Sequence, residues 1–198
     1  MGTIVTGRDS PTNNSYIGRF APSPTGPLHF GSLIAAVASF LEARRHQGQW
    51  LVRVEDIDPP REQDGATDLI LKALERYGFE WDGHVSYQSQ SRAHHDNALN
   101  HLLQSGAAYP CGCSRRDLEA APVSALGSIY PGTCRSGTNA TETAIRVRTT
   151  NESVYFSDAL QGEQVHHLER ESGDFVVLRK DGLIAYQLAV VVDDHLQG

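Results

Sequence analysis

Three groups of side chains in this chain have the types and spacings that chemistry uses. The first is the run Arg19-Phe20-Ala21-Pro22-Ser23-Pro24-Thr25-Gly26-Pro27-Leu28-His29-Phe30-Gly31-Ser32. Arg19, at its start, carries a guanidinium that can fork onto a carboxylate. His29, Gly31 and Ser32 stand at its end, where a long apolar pattern begins. Proline fixes φ and removes an N–H donor, so neither a helix nor a central strand passes through Pro22 to Pro27. The run predicts strand, rigid loop and helix N-terminus. The backbone amides of Gly31, Ser32 and Leu33 are then expected as unpaired donors at a positive helix end, a place suited to phosphate. The second group is the acidic strand end Glu55-Asp56-Ile57-Asp58, of which Asp56 and Asp58 read equally well as a solvated cap. The third is Cys111-Gly112-Cys113 with Tyr130-Pro131-Gly132-Thr133-Cys134, which uses all three cysteines of the chain. Thiolates suit zinc, and a structural zinc wants four ligands. Residue chemistry alone leaves the fourth ligand open, and three free thiols are the plain alternative.

These groups need elements to hold them. Tyr16 to Phe20 reads as a first strand. Leu33, Ala36, Val37, Phe40 and Leu41 recur at helical spacing within Ser32 to Arg45, and Gly48 is the expected stop. Trp50, Leu51, Val52 and Val54 form a second strand that delivers Glu55. Strand, helix, strand predicts a βαβ unit whose ligand side is the C-terminal end of its parallel strands. Helices follow over Asp64 to Tyr77 (Leu69, Ile70, Ala73 and Leu74 inward) and Ser91 to Ser105 (Ala98, Leu99, Leu102 and Leu103 inward), with Val85 to Tyr87 a short strand between them. From Gly106 to Gly182 the texture changes to many glycines, one helical stretch at Arg115–Ala121, and strand candidates at Ala144–Arg148, Val154–Ser157 and Phe175–Leu178. Ile184 to Val192 is densely apolar and ends in Asp193-Asp194. The expected class is α/β: a Rossmann-like, parallel-sheet nucleotide-binding core with an inserted, mostly β, zinc-binding subdomain. The expected divisions are a disordered tail over 1–15, the first half of the catalytic domain over 16–105, the insertion over 106–183, and the start of the second half over 184–198.

Composition narrows the classes. A net charge of -7 argues against loose binding to polyanions such as DNA. No apolar run of about 18 residues is present to span a membrane, and the N-terminus lacks the apolar core of a secretory signal. Met1-Gly2 with Thr6 fits a loose myristoylation pattern, but no basic second anchor follows. An odd number of cysteines in a cytoplasmic-looking chain favours a metal or free thiols over a disulfide framework. His94, His95, His101, His166 and His167 have no metal-spaced partner and read as surface or packing residues.

The run Arg19 to Gly26, followed by Leu28-His29-Phe30-Gly31, resembles the signature of class I aminoacyl-tRNA synthetases in the form carried by glutamyl-tRNA synthetases. Val52 to Asp58, Tyr87 to Ser91 and Tyr186 to Asp194 resemble three further segments of that family. The length and the cysteine pattern are most similar to a branch that lacks an anticodon-binding domain and joins glutamate to the queuosine base in the anticodon of tRNA(Asp). The resemblance implies activation of L-glutamate by ATP to glutamyl-adenylate, then transfer to tRNA(Asp) bearing queuosine. It places glutamate on Arg19, Phe20, Ala21, Pro22, Ser23, Glu55 and Tyr186. It places ATP on Pro22, His29, Gly31 and Ser32, with His29 and Ser32 catalytic and Mg2+ arriving with ATP. It makes Tyr130 the fourth ligand of a structural Zn2+ beside Cys111, Cys113 and Cys134. Arg115, Arg116, Arg135, Arg146 and Arg148 then become a candidate tRNA contact face. The alternatives are a fragment of an ordinary glutamyl-tRNA synthetase charging tRNA(Glu), and a non-catalytic tRNA-binding module. One departure stands out: the lysine-bearing second signature of class I enzymes does not occur, nor does an arginine expected shortly after Asp194, so the resemblance implies a chain truncated at its C-terminus.

Overall fold

The computed structural model describes residues 16–198, so the tail expected over 1–15 lies outside the described residues. The chain divides into two units, residues 1–90 and 91–198.

In the first unit β1 (Ile17–Phe20), α1 (Phe30–Arg45) and β2 (Gln49–Val54) form the expected βαβ motif. β1 pairs in parallel with β2, and β2 with the short β3 (Ser86–Tyr87), giving the order β1-β2-β3. The core gathers Phe20, Ala36, Ala43, Trp50, Val52, Ile70, Leu74 and Phe79, with Ile70 and Leu74 supplied by α2 (Ala66–Arg76). Phe40 meets Trp50 and Phe79 edge to face, and the Trp50 indole N–H donates to Ser39 Oγ at 2.9 Å. Burying an indole needs such a partner.

Two glycines are required by close approach. A Cβ on Gly18 would stand 2.9 Å from both Ala43 Cβ and the Ser39 carbonyl, and one on Gly48 would stand 2.0 Å from the Tyr16 carbonyl. These contacts decide which face of α1 turns inward. The helix is apolar nearly all round, so its periodicity does not select a side. Small Ala36 and Ala43, with Leu33 and Phe40, face the sheet, whereas Val37 and Leu41, expected inward, are exposed along with Phe30 and Ile34. In α2, likewise, Leu69 is exposed, and Ala66 takes an inward place.

The second unit is built on an antiparallel sheet of order β10-β7-β4, from β4 (Ala108–Cys111), β7 (Ala144–Val147) and β10 (Val176–Leu178). Two helices pack together in this unit, α3 (Arg92–Gln104) and α5 (Tyr186–Gln197). Two small hairpins complete it, β5 (Val123–Ser124) with β6 (Gly127–Ser128) and β8 (Val154–Asp158) with β9 (Gly162–His166), together with the one-turn helix α4 (Leu168–Glu171). The helix expected over Arg115–Ala121 is only a 3-10 turn at Arg116–Leu118, entered through a capping-box arrangement in which the Ser114 amide and hydroxyl both donate to Asp117 Oδ2, at 2.7 and 2.8 Å. Among the described residues no helix is long and apolar enough to cross a membrane.

Candidate functional site

The proline-rich loop leaves the C-terminal end of β1 and is tied down by its own backbone. The Glu55 amide donates to the Pro22 carbonyl and the Gln63 amide to the Pro24 carbonyl, each at 2.9 Å. Both ties come from chain that follows β2, so the loop is held against the strand end. A cavity of about 660 Å³ opens over it, lined by Arg19, Phe20, Ala21, Pro22, Ser23, His29 and Ser32 among others. Six of the loop residues expected to hold substrate thus share one cavity with Arg19. Gln63 and Ile70 also line it; the sequence marks Ile70 only as an inward residue of its helix and gives no signal for Gln63.

His29 is the N-cap of α1. Its Nδ1 accepts the Ser32 amide at 3.1 Å, its carbonyl accepts the Leu33 amide at 3.1 Å, and Ser32 Oγ lies 3.0 Å from its Nε2. The expectation of three unpaired amides is corrected accordingly: the histidine ring and carbonyl occupy two of them. Both side chains remain at the surface of the cavity, His29 exposed and Ser32 half-buried. Gly31 is exposed on the first turn and is not among the cavity's lining residues.

Glu55 directly follows β2, nearly inaccessible, and accepts from the equally buried Arg53 Nη2 at 3.3 Å. It too is absent from the cavity lining. Asp56 accepts the Ser89 amide and hydroxyl at 2.8 and 2.6 Å, which ties the end of β2 to the chain after β3. Asp58 pairs with Arg61 Nε at 2.6 Å. Burial first, then the charges of Asp56 and Asp58, raise the Glu62 carboxyl above its usual range. Tyr186 belongs to the second unit, where it is exposed as the first residue of α5.

The cysteines converge inside the second unit. All three sulfurs lie within 4.8 Å of one another. Cys113 and Cys134 are 3.6 Å apart, and the Tyr130 hydroxyl is 3.3 Å from Cys111 Sγ and 3.7 Å from Cys113 Sγ. A tetrahedral zinc with Zn–S bonds of about 2.3 Å has sulfur–sulfur edges of about 3.8 Å, and sulfur–oxygen edges of about 3.6 Å. The donor set and its spacing therefore fit such an ion. Burial pushes the Tyr130 hydroxyl far above the usual tyrosine range, reinforced by its hydrogen bond with Cys111. Burial opposes ionisation of Cys134 as well, but hydrogen bonds from Tyr130, the Gly112 backbone, Cys113 and Cys111 outweigh it and lower this thiol to about 7. Burial raises Cys113.

The five arginines do not form one exposed face. Arg146 is buried, and Arg135 is committed to Asp174 at 2.6 Å and Glu169 at 2.9 Å. Arg148 donates to the carbonyls of Gly106 and Arg135 and lies over the Tyr109 ring, while Arg115 and Arg116 are exposed. Of the histidines, His95 is fully buried and pairs with Asp193 Oδ1 at 2.8 Å, a packing role that spans 98 residues of sequence.

Residues 17–198 match the family model described as the catalytic domain of class I tRNA synthetases (E and Q). The chain belongs to this family. It is 55% identical over 188 residues to a protein of Pseudomonas putida (strain GB-1) called glutamyl-Q tRNA(Asp) synthetase, covering 94% of this chain and 62% of that one. A protein of the same name in Pseudomonas aeruginosa (strain PAO1) is 56% identical over 186 residues, covering 93% of this chain and 62% of that protein. The chain thus spans about three-fifths of the length of these curated relatives. Among solved structures, a glutamate tRNA ligase from Elizabethkingia meningosepticum, in complex with its amino acid, superposes with a TM-score of 0.79 at 25% identity, over 93% of this chain and 42% of that one. The mixed α/β fold with its parallel β1-β2-β3 sheet is that of the family.

Proposed function

We propose that this chain carries the glutamate-activating part of a ligase that attaches glutamate to queuosine in tRNA(Asp). The observation that carries this reading is the identity of 55% over 94% of the chain to a protein of that name, joined to a loop that brings Arg19, Ser23, His29 and Ser32 to one cavity. In the first step a carboxylate oxygen of glutamate attacks the α-phosphorus of ATP. The bond from that phosphorus to the bridging oxygen breaks, and pyrophosphate leaves with its electron pair. In the second, a hydroxyl of the queuosine base attacks the glutamyl carbonyl, gives up its proton, and releases AMP. Little covalent work falls to the protein, so positioning and charge stabilisation do most of it.

In this reading Arg19 forks onto the side-chain carboxylate, which separates glutamate from glutamine. Ser23 and the loop backbone hold the same substrate, and Glu55 accepts from its ammonium group. Tyr186 is assigned to glutamate by its sequence motif. His29 and Ser32 meet the phosphates at the α1 terminus, where the helix dipole favours negative charge. Mg2+ bound to the ATP phosphates would supply positive charge against the charge that develops on them. Cys111, Cys113, Tyr130 and Cys134 hold a zinc ion that staples the β-rich segment. The compartment is that of the tRNA, the cytoplasm.

The test is glutamylation of tRNA(Asp) with and without queuosine, together with glutamate-dependent pyrophosphate exchange in the absence of tRNA. Labelling only of the queuosine-bearing tRNA is expected. Charging of tRNA(Glu) at its 3′ end would instead assign the chain to an ordinary glutamyl-tRNA synthetase, and absence of glutamate-dependent exchange in a version with the full length of the relatives would favour a non-catalytic binding module.

A further inference from the structure

We infer that Arg146 is a positioning and charge-compensating residue for the cysteine–tyrosine metal site, an inference that rests on the zinc reading above. Arg146 lies on the central strand β7, paired with Tyr109 of β4 two positions from the Ala144–Cys111 pair. It is only 9% exposed. Its Nε donates to Cys111 Sγ at 3.3 Å, its Cζ stands 3.9 Å from the centre of the Tyr130 ring, and its Nη1 donates to the Asp174 carbonyl at 2.6 Å. It therefore touches two of the four candidate ligands at once.

A buried guanidinium is always charged and is normally matched by an anion. Among the described residues none of the Arg146 hydrogen bonds goes to a carboxylate. Asp174 is adjacent, but its two carboxylate oxygens are taken by Tyr109, Arg135 and Thr149. The anion within reach is the sulfur set. Three thiolates around a divalent ion carry one net negative charge, and a phenolate as fourth ligand makes it two. Burying that charge unmatched is costly. Arg146 offsets one unit of it at hydrogen-bond distance, and fixes the Cys111 sulfur and the Tyr130 ring in the orientation that the ion needs. Groups that orient metal ligands in this way are commonly worth about 10- to 100-fold in metal affinity.

The experiment compares the wild-type chain with Arg146→Met, Arg146→Lys and Arg148→Met. Zinc affinity is read by competition with a chromophoric chelator, and ligand geometry by the visible bands of the Co2+-substituted protein. Circular dichroism reports folding. Arg146→Met should lose about 10- to 100-fold in zinc affinity and shift the cobalt bands. Arg146→Lys should recover part of the affinity but keep shifted bands, since it restores charge without the fork. Arg148→Met, which removes a nearby cation that touches no ligand, should match wild type. Wild-type affinity and unshifted bands in Arg146→Met would overturn the inference, as would an equal loss in Arg148→Met. If Arg146→Met does not fold, unshifted bands in Arg146→Lys overturn it. A wild-type chain that takes up neither Zn2+ nor Co2+ overturns the zinc reading itself.

Discussion

Replacing Asp174 by asparagine should destabilise the second unit by about 3 kcal/mol, near the lower edge of the range for a broken buried ion pair. Asp174 is fully buried. Its Oδ1 accepts from Arg135 Nη2 at 2.6 Å, the Thr149 amide at 2.8 Å and the Thr149 hydroxyl at 3.0 Å, while its Oδ2 accepts from the Tyr109 hydroxyl and from Arg135 Nε at 2.7 Å. An asparagine that keeps its oxygen at the first position retains three of these bonds. Its NH2 group then faces the Tyr109 hydroxyl, which can rotate to accept, and Arg135 Nε, which has no lone pair to offer. The unavoidable losses are one charge-assisted bond, worth about 1.5–3 kcal/mol, and the compensating charge for Arg135. The second loss is partial because a third of the Arg135 side chain is in water and Glu169 also pairs with it at 2.9 Å. The opposite amide orientation is worse, since it sets NH2 against two fixed N–H donors at Oδ1, Arg135 Nη2 and the Thr149 amide. Burial alone would raise the Asp174 carboxyl, but the bonds from Arg135, Tyr109 and Thr149 hold it well below the usual carboxylate range. A carboxyl depressed on folding contributes stability that is complete above its unfolded value of about 4 and is lost as pH falls below that value toward the folded one. Urea unfolding monitored by far-ultraviolet circular dichroism, from pH 7 down to pH 3, measures both effects. Asp174→Asn should lower stability at pH 7 and flatten the acid limb of the profile. A change below about 1 kcal/mol at pH 7, or an acid limb as steep as in the wild type, would refute the assignment of Asp174 as the charged hub of this unit.

Arg19→Ala should cost at least about 100-fold in kcat/KM for glutamate, since two charge-assisted bonds to a carboxylate are removed; pyrophosphate exchange measures it, and ATP binding by calorimetry should be unchanged. Elemental analysis should find one zinc per chain. Removal of that zinc by a chelator should lower the unfolding temperature, and added Zn2+ should restore it. Zinc retention should weaken as pH falls, because protons compete with the metal for the thiolates of Cys111, Cys113 and Cys134. Gly18→Ala should destabilise the first unit by about 1–3 kcal/mol in urea unfolding, because the new methyl meets backbone and a core alanine at 2.9 Å.

The βαβ opening and the loop were legible because their signals are local: prolines exclude regular structure, and apolar spacing marks the flanking elements. What escaped the sequence depends on distant partners. β4 contains Pro110, which argues against a strand, yet β4 is a sheet edge where a missing N–H is tolerated. β9, Gly-Glu-Gln-Val-His, has no apolar alternation, because both it and β8 are largely exposed. Arg135 and Arg146 read as surface charge, since Asp174 lies 39 and 28 residues away from them. The face of α1 was undetermined for a different reason: in a helix apolar on every side, alanine size against Gly18 decides the packing, and hydrophobic spacing carries no record of it.

The loop's architecture separates folding from recognition. Its ties to the rest of the unit are backbone bonds, Glu55 to Pro22 and Gln63 to Pro24, and prolines set its φ angles without help from side chains. The buried loop positions are Pro22 and Pro24, whereas Ser23 and Thr25 are exposed to the cavity. Side chains that do not hold the loop together are the ones left to contact a ligand. His29 is the exception. It caps α1 through its ring Nδ1 and presents Nε2 to Ser32, so its substitution removes a helix cap, at a cost of about 1 kcal/mol, together with any phosphate contact. His29→Asn keeps a side-chain oxygen suited to the cap and deletes the ring. A full loss of activity in that variant with near wild-type stability places the ring in the chemistry, while recovered activity confines it to capping the helix.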